Sequence, residues 1–296
     1  MMPLHESSMP PRTAVRFSPS SAAGWALVLL VLQGVGAAIV RPSGSTGPVD
    51  FVGFSLVIAA STLVVLFGMV RVHGPDSSLR EVLGLSCSPL ALPPGAEPAI
   101  VAAHRAAVVA LLLVVGVALV PVDAALDAFF SSRDPSYGEE LSQLTALLDA
   151  PTMRAKVARS LGLGVVQPLA ELTFYFGMVF GGLRRPGSRV LASLLSTTFF
   201  VLHASDLRTA PLRLLIALPV LGARLATGDV RAAVAAAVVF NMLSVANVGR
   251  SESLVRGGVG LWAGVLALAF AGILFLVRRA TQWRLGEFAD RLDMRA

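Results

Sequence analysis

Apolar residues are grouped into long stretches along this chain, and most polar residues lie in the segments between them. A helix of about 20 mostly apolar residues crosses the hydrocarbon core of a bilayer. The stretches that reach or approach this length are residues 22–40, 51–70, 100–120 or 106–120, 161–183, 189–205, 211–226, 230–248 and 257–277. The pattern therefore predicts an all-α fold, a polytopic membrane protein with about eight transmembrane helices.

The composition agrees with a membrane protein. Of the 296 residues, 55% are hydrophobic and 14% are charged, whereas roughly 25% of the residues in soluble domains are charged. The net charge of +6 comes almost entirely from arginines that flank apolar stretches, because Lys156 is the only lysine. Such cations report topology and contact lipid headgroups, so the predicted partner is the lipid bilayer and not nucleic acid. Cys87 is the lone cysteine, which excludes an intramolecular disulfide.

The polar segments divide the chain into a single domain with two tails. Residues 1–20 are polar and rich in proline, which predicts a flexible N-terminal tail. Residues 21–278 are predicted to form a single transmembrane domain, and residues 279–296 a basic tail. Within the domain, residues 77–85 have the spacing of a short interfacial helix. Residues 122–159 are the one long hydrophilic connection.

The positions of Lys and Arg predict the orientation in the membrane. With eight helices, 15 of these cations lie on the side that holds both termini and 9 on the other side, Arg213 among them. The positive-inside rule then places both termini in the cytoplasm. The bias of the composition towards Ala and Arg favours a bacterial source, so the expected location is the inner membrane.

The candidate site residues are four polar side chains inside the apolar stretches, Gln167, Glu171, His203 and Asn241. Glu171 lies near the middle of the fourth predicted helix, with Gln167 four residues before it and Tyr175 four residues after it on the same face. His203 lies late in the fifth predicted helix and Asn241 midway along the seventh. A carboxylate at mid-membrane is unfavourable by about 2.5 to 3.5 kcal/mol, so it normally faces a protein interior or a wet cavity and marks a working site.

A carboxylate, an imidazole and an amide that meet in a cavity can hydrolyse a peptide bond. Glu171 and His203 would deprotonate a water, and Asn241 would donate to the oxyanion. Three unrelated hydrogen bonds between helices explain the same residues equally well. The neighbouring carboxylates Glu139 and Glu140 lie in a polar segment, and the start of a solvated helix explains them better than catalysis.

At these positions the chain resembles the CPBP intramembrane endopeptidases, the family of CAAX proteases and bacteriocin-processing enzymes. The family pattern is a Pro shortly before Glu-Glu-x-x-x-Arg, then Phe-x-x-x-His, then His-x-x-x-Asn, on successive late helices. The residues that match are Pro168, Glu171, Gly177, Phe199, His203, Thr227, Gly228 and Asn241. The resemblance implies a CPBP-like core at about residues 161–248, with catalytic Glu171, His203 and Asn241. No cofactor is expected, and one His beside one Glu makes a poor zinc site.

Three positions depart from the family pattern. The second Glu is Leu172, the Arg is Phe176 and the second His is Ala237. Leu172 and Phe176 are one helical turn apart, so an apolar pair is expected to pack where a charged pair would be. Ala237 has no such compensation, and the loss of an oxyanion donor can lower the rate on the order of 100- to 1000-fold.

The expected function is that of a glutamate-dependent intramembrane endopeptidase. Its substrates would be membrane-embedded or membrane-proximal peptides or proteins, cleaved in maturation or sorting. The alternative is a pseudoprotease of the same fold that binds a membrane peptide as an adaptor or immunity factor. A small transporter is a third hypothesis, which is disfavoured because the polar residues do not repeat across two halves of the chain.

Overall fold

Apolar helices form almost all of the structure. A computed structural model describes residues 18–40, 51–73, 98–148, 152–183, 189–203, 207–228, 230–246 and 258–293. The helices in these ranges are α1 (Pro19–Val40), α2 (Phe51–His73), α3 (Pro98–Arg133), α4 (Pro135–Leu148), α5 (153–183), α6 (Arg189–Leu202), α7 (Ala210–Thr227), α8 (Arg231–Ala246) and α9 (Val259–Asp293). A 3₁₀ turn, Leu207–Thr209, precedes α7. The described residues contain no strand, so the predicted all-α class is confirmed.

Among the described residues, fewer helices than the eight predicted are long and apolar enough to cross a membrane. Six helices, α1, α2, α3, α5, α7 and α9, are long and apolar enough to cross a membrane. The other two predicted spans form α6, with 14 residues, and α8, with 16 residues. At 1.5 Å per residue these extend only about 21 and 24 Å, against a hydrocarbon core of about 30 Å.

Several helix ends differ from those predicted. Helix α3 continues through Pro121 to Arg133, and α4 and the start of α5 follow, so most of the predicted hydrophilic connection at 122–159 is helical. Helix α9 continues to Asp293, so the predicted tail at 279–296 is helical over most of its length. Hydropathy marks where a helix could leave the apolar layer, whereas backbone hydrogen bonding can continue well beyond that point. The predicted helix at 77–85 and most of the predicted tail at 1–20 lie outside the described residues.

Helix α5 lies at the centre of the packing. It contacts α2, α6 and α8, while α3 packs against α8 and α9. Phe174, Tyr175, Phe176 and Met178 on α5 are completely buried. Helices approach one another closely at glycines, since a Cβ on Gly164 would lie 2.5 Å from the sulfur of Met242.

The outer helices present apolar side chains outwards. Leu27, Val31 and Ile39 on α1 are more than half exposed, as are Leu268 and Leu274 on α9. Exposed apolar surface of this extent is typical of a face that contacts membrane or protein. The structure thus describes a polytopic helical bundle of membrane type.

A glycine ends the helix that precedes α8. Gly228 has φ = 73°, a left-handed conformation that favours glycine, and its N–H donates to the carbonyl of Arg224. This is a common C-terminal cap. It stops α7 after Thr227 and allows the chain to reverse into α8, which carries Asn241.

Candidate active site

Glu171 lies on a short α-helical stretch, Gln167–Leu172, between two π-helical segments of α5. The segments are Gly162–Val166 and Thr173–Val179. π-Helical insertions in α-helices are frequent at functional sites. The Glu171 side chain is only 9% exposed, so the sequence-based expectation of a buried carboxylate agrees with the structure.

Two donors hold the Glu171 carboxylate. Gln167 Nε2 donates to Glu171 Oε1 at 2.9 Å, as expected for side chains four residues apart on one helix face. Arg213 Nη2 donates to Glu171 Oε2 at 3.1 Å and lies 3.4 Å from Oε1. The carboxylate is therefore part of a buried ion pair.

Arg213 is the site residue that the sequence reasoning missed. It lies near the start of α7, and its Nη1 donates to the carbonyl of Phe200 at 2.8 Å. Its guanidinium lies 4.9 Å from the centre of the Phe200 ring. Arg213 stands at the edge of an apolar stretch and therefore has the sequence pattern of a flanking cation. Nothing local distinguishes an arginine that reaches out to lipid from one that turns into the bundle.

His203 follows Leu202, the last residue of α6, and lies in a turn. The predicted helix continued to residue 205, whereas α6 ends at Leu202, so His203 lies just beyond the helix and not inside it. Its Nε2 is 3.9 Å from Glu171 Oε1, and the Tyr175 hydroxyl lies 2.9 Å from its Nδ1. When the hydroxyl donates to Nδ1, the neutral ring carries its proton on Nε2, which faces the carboxylate.

A cavity of about 260 Å³ adjoins the carboxylate. Glu171 lines it from α5, Arg213 from α7 and Asn241 from α8, and Ala237 also faces it. His203 is not among the lining residues. The structure thus brings Glu171 and Asn241 to one cavity, and it places His203 beside Glu171.

The departures from the family pattern have clear positions. Leu172 and Phe176 are both buried, and the Phe176 ring lies 5.5 Å from that of Phe200. They occupy apolar core where a second charged pair would otherwise stand. Ala237 faces the cavity together with Arg213, so a cation from a different helix reaches the cavity from which the second His is absent.

Glu139 and Glu140 lie in α4 and do not line this cavity. Glu140 accepts from Arg208 Nη2 at 2.6 Å, and Arg208 Nη1 donates to Asp134 at 2.9 Å. The Arg208 guanidinium also stands over the Tyr137 ring, 4.8 Å from its centre. These contacts fasten α4 to the turn that precedes α7 on a solvent-exposed side of the molecule.

Within the described ranges, no three His, Cys, Asp or Glu residues come together in a way that could hold a metal ion. Comparison of the chain with protein-family models, with curated proteins and with solved structures gave no significant match.

Proposed function

We propose that this protein is a CPBP-type intramembrane endopeptidase in which Glu171 is the general base. The observation that carries the proposal is the buried Glu171 carboxylate at the wall of a cavity that Arg213 and Asn241 also line. A base can activate a water for peptide hydrolysis, and a cation and an amide donor can stabilise the oxyanion; here these groups come from three different helices.

The reaction would begin with a water in the cavity beside Glu171. The carboxylate takes a proton from the water as its oxygen adds to the carbonyl carbon of the scissile bond. The Asn241 amide and the Arg213 guanidinium stabilise the negative charge that forms on the carbonyl oxygen. Glu171 then returns the proton to the nitrogen of the leaving amine as the C–N bond breaks.

His203 acts through Glu171 in this proposal. Its Nε2 is 3.9 Å from the carboxylate, which is longer than a hydrogen bond, and contacts of this kind often shorten when substrate binds. Tyr175 fixes the ring with a bond at the opposite nitrogen. His203 is therefore assigned a positioning role, in place of the direct contact with the attacking water expected from the sequence.

Arg213 accounts for the absence of a family His at position 237. Removal of one oxyanion donor lowers catalytic rates about 100- to 1000-fold, and Ala237 carries no donor. A guanidinium presents five N–H groups in a fixed plane. One on Nη1 donates to the Phe200 carbonyl and one on Nη2 donates to Glu171, so the second oxyanion donor of the proposal is one of the remaining N–H groups.

The proposed substrates are membrane-embedded or membrane-proximal peptides and proteins, cleaved in maturation or sorting. The apolar helices that surround the cavity favour substrates already in the membrane. The proposed setting is the bacterial inner membrane with both termini in the cytoplasm, and α6 and α8 would complete the eight membrane segments as short helices.

The decisive experiment compares membrane proteomes. A strain that lacks the protein is complemented with wild type, with Glu171→Gln or with Glu140→Gln, and new peptide termini are mapped by mass spectrometry. Glu140→Gln is the matched control, since it makes the same chemical change in an exposed ion pair. Termini present with wild type and Glu140→Gln, but absent with Glu171→Gln, are expected.

A pseudoprotease that binds a membrane peptide is the second candidate function. The observation in its favour is that Glu171 already accepts from both Gln167 and Arg213, which leaves fewer lone pairs for a water. Identical termini in all three strains, together with a phenotype that wild type rescues in the deletion strain, would establish this candidate and exclude proteolysis.

A further inference from the structure

A second cavity lies on the opposite face of α5 from Glu171. Its volume is about 660 Å³, within the roughly 300–1,000 Å³ typical of ligand sites. It is a groove between α2, α5 and α8, lined mainly by aliphatic side chains such as Leu66, Leu169 and Val234. Most of the ligand surface that this groove buries must be aliphatic too, because a polar group without a partner there would lose its hydrogen bonds to water.

Three polar side chains stand in this apolar wall: Thr62, Thr173 and Arg231. Thr62 on α2 is only 3% exposed, and no hydrogen-bond partner for its Oγ1 lies within the described part of the chain. Buried hydroxyls are nearly always paired. Arg231, the first residue of α8, also lines the groove, and the positive end of the helix dipole adds to its charge. The groove therefore joins an aliphatic surface, an unused hydroxyl and a cation.

The dimensions distinguish between two kinds of occupant. On α2 the lining residues run from Ala59 to Leu66, which is about 10 Å along the helix axis. A transmembrane helix is about 30 Å long and 10 Å wide, so most of its length would have no contact in the groove. A single hydrocarbon chain is narrow enough to enter it.

We propose that this groove binds one acyl chain of an anionic phospholipid. The aliphatic wall takes the chain, Thr62 donates a hydrogen bond to an ester oxygen, and Arg231 attracts the phosphate group. This proposal does not depend on the proteolytic function, because the groove residues and the Glu171 cavity lie on opposite faces of α5.

Lipid retention tests the proposal. The full-length protein is reconstituted in equal amounts of phosphatidylglycerol and phosphatidylcholine, extracted in mild detergent, and its co-purified lipid is measured by mass spectrometry. We expect phosphatidylglycerol to be enriched over phosphatidylcholine. Equal retention of the two lipids would show that the groove contacts bulk membrane lipid without selecting an anionic one, and would overturn the proposal.

Charge removal gives the first variant. One cation near an anionic lipid contributes an effect of about fivefold, so Arg231→Ala should lower the enrichment by about that factor. Arg189→Ala is the matched control, since Arg189 is an exposed arginine that begins an apolar helix and does not line the groove. An equal loss in both variants would show a general surface effect and contradict the assignment.

Steric filling gives the second variant. Ala59→Trp places a large ring in the groove, and Ala60→Trp places the same ring on the exposed neighbouring position. Retained phosphatidylglycerol should be lost only in Ala59→Trp. If both proteins keep the lipid, the groove does not hold it.

Thr62→Val keeps the shape of the side chain and removes its hydroxyl. It therefore tests the proposal even if the tryptophan variant misfolds. A hydrogen bond to the ester predicts a severalfold lower retention of phosphatidylglycerol in Thr62→Val. Unchanged retention would remove the ester contact from the proposal.

Discussion

In the described part of the chain, Arg208 and Arg213 are only five residues apart in sequence, but their ion-pair networks lie in opposite environments. Arg213 pairs with Glu171 inside the bundle, where the two side chains are 16% and 9% exposed. Arg208 pairs with Asp134 and Glu140 at the surface, where the two carboxylate side chains are 43% and 61% exposed. The chemistry of the groups is the same, but the surrounding medium differs.

The comparison shows what burial adds to an ion pair. Water screens the exposed network, and surface pairs contribute about 0 to 1 kcal/mol. The buried pair is desolvated, so either partner left alone is strongly unfavourable. We therefore assign the surface network to holding α4 against the turn before α7, and the buried pair to the proposed active site.

The largest effect is expected from Arg213→Met, which leaves the Glu171 carboxylate buried without its cation. The free energy of unfolding should fall by about 3 kcal/mol, measured by equilibrium denaturation in mixed micelles. The double variant Glu171→Leu with Arg213→Met should recover most of this stability, because neither charge remains. Peptide cleavage should be lost in both proteins. A double variant as unstable as the single one would show that the pair is not coupled.

A smaller effect is expected from Tyr175→Phe, which removes the hydroxyl at 2.9 Å from His203 Nδ1. Loss of that hydrogen bond should lower the cleavage rate about tenfold, because roughly 1.4 kcal/mol corresponds to one factor of ten. The dependence of the rate on pH should also change, since the hydroxyl helps to select the ring tautomer. Tyr137→Phe in the surface network is the control, and an equal change in its rate would argue against a role for Tyr175.

Disruption of the surface network should have little effect. Arg208→Gln is expected to lower the free energy of unfolding by less than about 1 kcal/mol. Added salt should reduce the difference from wild type further, because exposed charges are screened. The same salt series should leave the Arg213→Met difference nearly unchanged. A loss of several kcal/mol in Arg208→Gln would erase the contrast between the two networks.

The smallest expected effect is the pH dependence of the stabilisation that Asp134 contributes. The hydroxyl of Ser136, bound to Asp134 at 2.6 Å, lowers the pKa of Asp134 below its usual value of 3.8, and Arg208 adds to this. A lowered pKa in the folded state means that the stabilisation is present above pH 3.8 and is lost as the pH falls through the folded pKa. Wild type should be slightly more stable than Asp134→Asn at pH 7, and the difference should vanish in strong acid. A difference that grows as the pH falls would contradict this account.

Local sequence was sufficient for contacts made within one helix. The spacing of Gln167 and Glu171 predicted a shared face, and the structure shows the hydrogen bond between them. The helix stop at Gly228 also follows from local chemistry, because glycine adopts the left-handed conformation readily. The all-α class was also predicted from local sequence, and six helices in the described residues are long and apolar enough to cross a membrane.

Contacts between distant parts of the chain could not be predicted in this way. Arg213 and Glu171 are 42 residues apart, and the direction of the Arg213 side chain depends on how α7 packs beside α5 and α6. The position of His203 beside Glu171 depends on where α6 ends, which hydropathy located only to within a few residues. The second cavity has no sequence signal, because a lipid-filled groove and a packed helix interface are built from the same aliphatic residues.

The sequence by itself determined an all-helical membrane protein, because the length of each apolar stretch is a property of a short segment. It also singled out Glu171, because a carboxylate in the middle of such a stretch is unfavourable unless it faces a protein interior or a wet cavity. Tertiary structure decided which cation meets that carboxylate, which of the candidate residues line its cavity, and where a second cavity opens. Those features depend on distances between helices. Such distances result from the packing of the whole bundle.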